Sequence, residues 1–183
     1  MTHIKCNKHI RILMAVLFLG SSLQPLRALD PDPEVTGKVF AELIDVLSAS
    51  ESSALNFGRF FIDGQSGGTI IIEASSSMVR TSTGSSLHLA SGGDPGPAIY
   101  EVLGFPNYSV TITLPGESTL THGTNPAHRM TVDSWEVYPS HTVRLDVSGK
   151  MTFYLGAVLR VQNLSQNPVG VYTGTYAVTF AYN

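Results

Sequence analysis

The chain has 183 residues, a net charge of −3 and only 14% charged residues. That balance offers no clustered Lys and Arg for nucleic acid or an anionic membrane surface. Its one cysteine, Cys6, sits in an N-terminal leader, so the chain beyond the leader has no disulfide, no thiolate nucleophile and no cysteine metal site.

The leader opens with Lys5, Lys8 and Arg11 and no acid. An unbroken apolar run from Ile12 to Leu19 follows, and Gly20, Ser21, Ser22 and Pro25 break it before Leu26-Arg27-Ala28. Charged, apolar, then small and polar is the order of a cleavable secretory signal. The run is shorter than the ~20 apolar residues of a membrane span. Residues 1–28 therefore read as a signal peptide, with export to the periplasm, cell surface or medium and no membrane insertion of the mature chain. Removing 28 of 183 residues leaves 155, enough for one domain with its own core and no staples.

Residues 29–48 form an N-terminal arm. It begins with the stiff acidic Asp30-Pro-Asp-Pro-Glu34. Over residues 35–47 two periods compete. As a helix, Val39, Phe40, Leu43, Ile44 and Leu47 share a face. As a strand, Phe40, Ile44 and Val46 share one with Glu42 as the odd member, and the β-formers Thr36, Val39, Phe40, Ile44 and Val46 favour that state.

Residues 49–183 read as the β-sandwich domain. Residues 55–62 and 69–74 flank the glycine-rich Asp63-Gly-Gln-Ser-Gly-Gly68 and predict a hairpin. Short strands are predicted over 77–81, 86–90 and 98–103, each bounded by Gly, Pro or Ser. Tyr108, Val110, Ile112 and Leu114 alternate with Ser109, Thr111 and Thr113, a half-buried antiparallel strand. Residues 130–138, 142–147 and 151–161 follow, with a bulge or bend expected at Gly156. The closing stretch is the strongest: Tyr172, Gly174, Tyr176, Val178, Phe180 and Tyr182 share one face without a breaker. About ten short strands with no βαβ alternation predict an antiparallel sandwich or barrel.

Candidate chemistry is sparse. Gly64-Gln-Ser-Gly-Gly68 matches a nucleophile elbow formally, but a strand rather than a helix follows it, and no His stands between Leu29 and Gly64 to satisfy a trypsin-like order. His88, His122, His128 and His141 have no metal-ligand spacing. Trp135 and the tyrosines fall mostly at alternating strand positions, where core packing is the default, with Tyr138 beside Pro139 the one open to binding. These readings predict a chain that is not an enzyme and carries no cofactor and no metal.

With the strands placed, four motifs carry a resemblance: Leu55-Asn-Phe-Gly58; Gly67-Gly-Thr-Ile-Ile-Ile72; the Gly-led strand from Gly104 that closes on Leu114-Pro115; and the closing Gly170-Val-Tyr-Thr-Gly-Thr-Tyr-Ala-Val-Thr-Phe-Ala-Tyr-Asn183. The chain resembles the bacterial family of domain of unknown function 4402 and, more distantly, spore-coat-U-type proteins and archaic chaperone–usher pilins. The resemblance covers residues 35–183. It implies an exported, immunoglobulin-like, pilin-like antiparallel β-sandwich without known enzymatic activity, and it favours a strand for residues 35–47.

The strongest strand is also the last, so no later strand is expected to cover its edge, and a long apolar edge invites pairing. A neighbour's N-terminal segment could fill such a gap by strand addition. The candidate assembly residues are Val39, Phe40, Ile44 and Val46 in the arm and Tyr176, Val178, Phe180 and Tyr182 in the closing strand. The arm pairs either in cis, as the domain's own first strand, or in trans. The expected function is a structural or adhesive surface subunit whose partners are copies of itself, related surface subunits and a periplasmic chaperone. The alternative is a monomeric secreted module that binds carbohydrate or protein.

Overall fold

The computed structural model describes residues 38–43 and 46–183. The leader, the acidic lead-in and Ile44 lie outside the described residues. The chain divides into two units, Met1–Ala41 and Glu42–Asn183. In the first, residues 38–41 are exposed and form neither helix nor strand.

The second unit is an all-β antiparallel sandwich, with no helix among the described residues. Its strands are β1 (Ser48–Ser53), β2 (Phe60–Ile62), β3 (Gly68–Ile72), β4 (Arg80–Thr83), β5 (Leu87–Leu89), β6 (Ala98–Leu103), β7 (Ser109–Thr113), β8 (Ser118–His122), β9 (Arg129–Tyr138), β10 (Thr142–Arg144), β11 (Lys150–Val161), β12 (Tyr172–Thr173) and β13 (Thr179–Tyr182). One large sheet runs β1-β6-β11-β9-β8-β12, with β3 also on β11 and β4 on β3. Facing it are the three-stranded sheet β10-β7-β13 and the pair β2-β5.

Four sequence expectations change. The first strand is the polar β1, which pairs with β6 from Ser48↔Leu103 to Ser53↔Ile99. Residues 38–43, 46 and 47 take neither of the two states expected for residues 35–47. β2 and β3 do not form a hairpin: β2 pairs β5, and β3 pairs β11 and β4, so residues 63–67 carry the chain from one sheet to another. β8 is a strand that its Ser-Thr-Leu-Thr-His sequence does not announce. The closing strand is split, with Tyr172–Thr173 on β8, Thr179–Tyr182 on β7, and unladdered chain between.

The core has two clusters. Phe57, Ile70, Met130, Val132 and Leu159 belong to one, and Val102, Val110, Ile112, Leu145 and Phe153 to the other. β11 runs through both. Its first half pairs β6 and its second half pairs β3 on the same edge, while β9 covers the other edge. The β9 register shifts between Gly156 and Val158, the bulge expected at this glycine. A Cβ on Gly156 would land on the Ile72 carbonyl oxygen and the Ala74 amide nitrogen, so backbone approaches backbone where no side chain fits. Gly156→Ala is expected to destabilise the fold by about 2 kcal/mol through overpacking, read as a lower urea midpoint with an unchanged slope.

The β10–β11 turn is held by one carboxylate. Asp146 accepts hydrogen bonds from the Lys150 N–H (2.8 Å), the Ser148 hydroxyl (2.7 Å) and the Ser148 N–H (2.8 Å). These donors, the Lys150 amide first, hold the Asp146 carboxyl below the usual carboxylate range. A depressed folded-state value means stabilisation that is complete above the unfolded value near ~4 and is lost as pH falls through the folded one. Asp146→Asn should therefore be less stable than the parent at pH 7, and the gap in denaturant midpoint should close on acidification below that range.

Candidate functional site

The closing segment keeps its side-chain alternation even where its ladder lapses. Tyr172, Tyr176, Val178, Phe180 and Tyr182 are half-buried, and the residues between them are exposed. Phe180 packs on Tyr100 and Phe153, with ring centroids 5.6 and 6.0 Å apart. The Tyr182 hydroxyl accepts the Phe105 N–H at 2.6 Å. Tyr100 donates to the Tyr176 hydroxyl at 3.0 Å, which donates to Glu51 at 3.1 Å. Burial, with the Tyr100 hydroxyl beside it, pushes the Tyr176 phenol far above its ordinary value, so it stays a neutral donor.

The backbone of this segment is less complete. Residues 174–178 make no backbone hydrogen bond among the described residues. Among the described residues β12 pairs only β8, and β13 only β7. The Val171 carbonyl accepts the Gly123 N–H at 2.8 Å. By antiparallel alternation Tyr172 then turns its own N–H and C=O away from β8, toward the open side. Unpaired backbone beside an apolar surface is a place where another strand can add.

The opposite wall is the chain over residues 55–62. β2 pairs β5 on one side and no strand on the other among the described residues. Arg80 holds this wall in place: its guanidinium donates to the carbonyls of Phe57 (2.9 Å), Arg59 (3.2 Å) and Ala90 (2.9 Å). Gly58, at φ +70°, leaves the room that the guanidinium occupies.

Between the two walls lies a groove of about 750 Å³. Its floor includes Leu120, Met130, Val132, Trp135 and Leu159, and its rim includes Phe61, Leu164, Val169 and Val171. All four rim side chains are exposed apolar groups. His122 anchors one end. Its Nδ1 accepts the N–H groups of Thr124 and Asn125, both at 3.2 Å, which makes Nε2–H the donor to the Val169 carbonyl at 3.2 Å. A Cβ on Gly170 would strike that ring, so the glycine lets the wall close on the histidine.

Residues 47–182 match the model of one family, described as Domain of unknown function (DUF4402). The chain belongs to the DUF4402 family. No curated protein and no solved structure matches it.

The DUF4402 match begins at Leu47, at the threshold of β1, so most of the arm stands outside it. Of the arm residues picked from sequence, Val39, Phe40 and Val46 are exposed, and Ile44 lies outside the described residues. Of the four closing-strand candidates, Val178, Phe180 and Tyr182 turn their side chains to the domain's own core, and Tyr176 lines the groove. Trp135 is on the groove floor, donating Nε1–H to the Gly116 carbonyl at 2.7 Å and packing against Tyr176 at 4.7 Å. Tyr138 is exposed and is not part of the groove lining.

The sequence reading missed the 55–62 wall and the rim at Leu164, Val169 and Val171. The one available signal was apolar valine on both sides of Gly170, outside any alternating run. Arg80→Lys should loosen the wall, because an ammonium cannot reach three carbonyls in a fixed fork. The expected result is amide exchange over residues 57–62 about tenfold faster, with exchange in β11 unchanged.

Proposed function

We propose that this DUF4402 protein is an exported structural surface subunit, pilin-like in its mode of assembly, whose groove accepts a β-strand from a partner. One observation carries the reading: two unpaired strand edges, residues 55–62 and 172–176, face each other across an apolar groove. A strand laid there would supply hydrogen-bond partners to the 174–178 backbone and bury alternate side chains on the groove floor. Export rests on the leader at residues 1–28, which has the charged, apolar and small-residue order of a cleaved signal.

The groove also has a lining that suits the alternative of a monomeric binding module. Trp135, Tyr172 and Tyr176 all contribute to it, and aromatic faces stack on sugars as well as on apolar side chains.

Oligomer size and backbone protection separate the two readings. Under strand addition the purified protein associates, and the amides of residues 174–178 exchange at least tenfold more slowly in the assembled state than in the dissociated one. Val169→Glu with Val171→Glu places two charges on the rim at exposed positions that the fold does not need. That variant should lose at least nine-tenths of the associated fraction while keeping the parent's denaturant midpoint. A parent that remains monomeric at all concentrations overturns the proposal in favour of a monomeric module, and a rim variant that associates as the parent does overturns the groove as the place where a strand adds.

A further inference from the structure

The seven tyrosines of the chain differ in what their hydroxyls do. Those of Tyr100, Tyr108, Tyr172, Tyr176 and Tyr182 are hydrogen-bonded within the chain. The hydroxyls of Tyr138 and Tyr154 make no hydrogen bond among the described residues, and these two tyrosines stand side by side.

Strand register sets the pair on the outer face of the large sheet. Tyr154 lies opposite Tyr138 on β9 and opposite Ile99 on β6, so the three form one row across neighbouring strands. Their chain neighbours Phe153, Leu155 and Ala98 are buried and Val137 packs on the core, which turns the row to the other face. The groove instead takes Trp135 from the inner face of the same β9. Tyr138 is 50% exposed, and Tyr154 and Ile99 are half-buried. The two tyrosine rings have centroids 6.2 Å apart and planes at 52°, a shallow V open to solvent.

One residue pair to either side, this face turns polar. Glu136 stands on one side of the row, two residues before Tyr138, and Thr152 lies opposite Glu101 on the other. All three are exposed. Lys150, four residues before Tyr154, is about 13 Å away along β11.

We propose that this row is a binding site for a neutral glycan, held through one pyranose ring and independent of whether a strand adds in the groove. One tyrosine ring lies under the C–H face of the sugar, whose hydrogens meet the negative π surface, and the other closes on its edge. The two phenolic hydroxyls, the Thr152 hydroxyl and the carboxylates of Glu101 and Glu136 meet the sugar hydroxyls as donors and acceptors. Because the two carboxylates bracket the row, a polyanionic chain is repelled and a neutral one is not. A protein partner fits less well: three apolar side chains bounded by acids fall short of the ~800 Å² per partner of a stable interface.

The test is a titration of the full chain with cellohexaose, an α-mannohexaose and a β-galactohexaose, followed by amide chemical shifts. At least one of these chains should shift residues 99, 138 and 154 together and leave residues 172–176 unmoved. Tyr138→Ala and Tyr154→Ala should each weaken that binding by about tenfold or more. Tyr138→Phe keeps the ring and should lose less than about fivefold, the share of one hydrogen bond. The C6-oxidised, uronic form of the bound chain should bind more weakly than the neutral form, and Glu101→Gln with Glu136→Gln should close that gap. Val169→Glu with Val171→Glu, on the groove rim, should leave glycan binding unchanged. The absence of shifts with all three chains overturns the proposal. Binding that moves residues 172–176 and is lost in the rim variant also overturns it, and assigns the sugar to the groove. A uronic chain that binds as tightly as the neutral one overturns the choice of a neutral ligand.

Discussion

β11 is the constraint that the other strands answer to. It is 12 residues long, far longer than most of its neighbours, and its side chains enter both core clusters. A strand of that length can be covered on one edge by a single long partner, β9, and on the other only by two shorter ones in succession, β6 and then β3. The chain therefore has to deliver two separate strands to one edge. The bulge at Gly156 falls at the changeover, where β11 must bend and twist to serve both. The two halves of the sandwich are built on the two halves of this strand, and the facing layer is correspondingly broken into β10-β7-β13 and β2-β5. The groove lies where that facing layer is interrupted.

How much of this was legible depends on what each element shows in its side chains. β6, β7, β9 and β11 have one buried face and read correctly as strands, because alternation is a direct record of burial. β1 and β8 do not. Ser-Ala-Ser-Glu-Ser-Ser is exposed at every position, so nothing in it alternates, and its strand state comes from backbone pairing with β6 alone. The residues just before it, Val39 to Val46, have the apolar pattern but no sheet to lie on within the described residues, which is why pattern pointed to the wrong side of Ser48. The 63–67 link failed for a related reason. Glycine marks a change of direction, but whether the next strand pairs with the last one or crosses to another sheet is decided by partners distant in sequence.

The closing segment separates two properties that alternation merges. From Tyr172 to Tyr182 the inward and outward faces persist, yet the ladder exists only at the two ends, on β8 and then on β7. Side-chain period reports which face is buried and is silent on which backbone groups are paired. The same is true of the candidate site. Tyr176, Val178, Phe180 and Tyr182 were visible as a face, and three of them serve the domain's own core. The open backbone between Gly174 and Val178, and the Arg80-braced wall across from it, have no local signature because they are products of tertiary pairing.

The sandwich does not treat its edges alike. Among the described residues β1 pairs only β6, and its six positions, five of them serine or glutamate, are all exposed, with a bulge between Glu51 and Ser53. Polar side chains and irregular register are how edges are kept from recruiting strange strands. The 172–176 edge is less protected: Thr173 and Thr175 are exposed and polar, but its neighbours Val169 and Val171 are exposed and apolar, and an apolar groove adjoins it. Tyr176 joins the two, since its hydroxyl reaches Glu51 on β1 while its ring packs against Trp135 on the groove floor. A fold able to blunt one edge with five polar positions out of six could blunt the other by the same means. It instead leaves residues 174–178 without a backbone hydrogen bond among the described residues, beside apolar side chains, and this contrast between the two edges is what the proposed strand addition rests on.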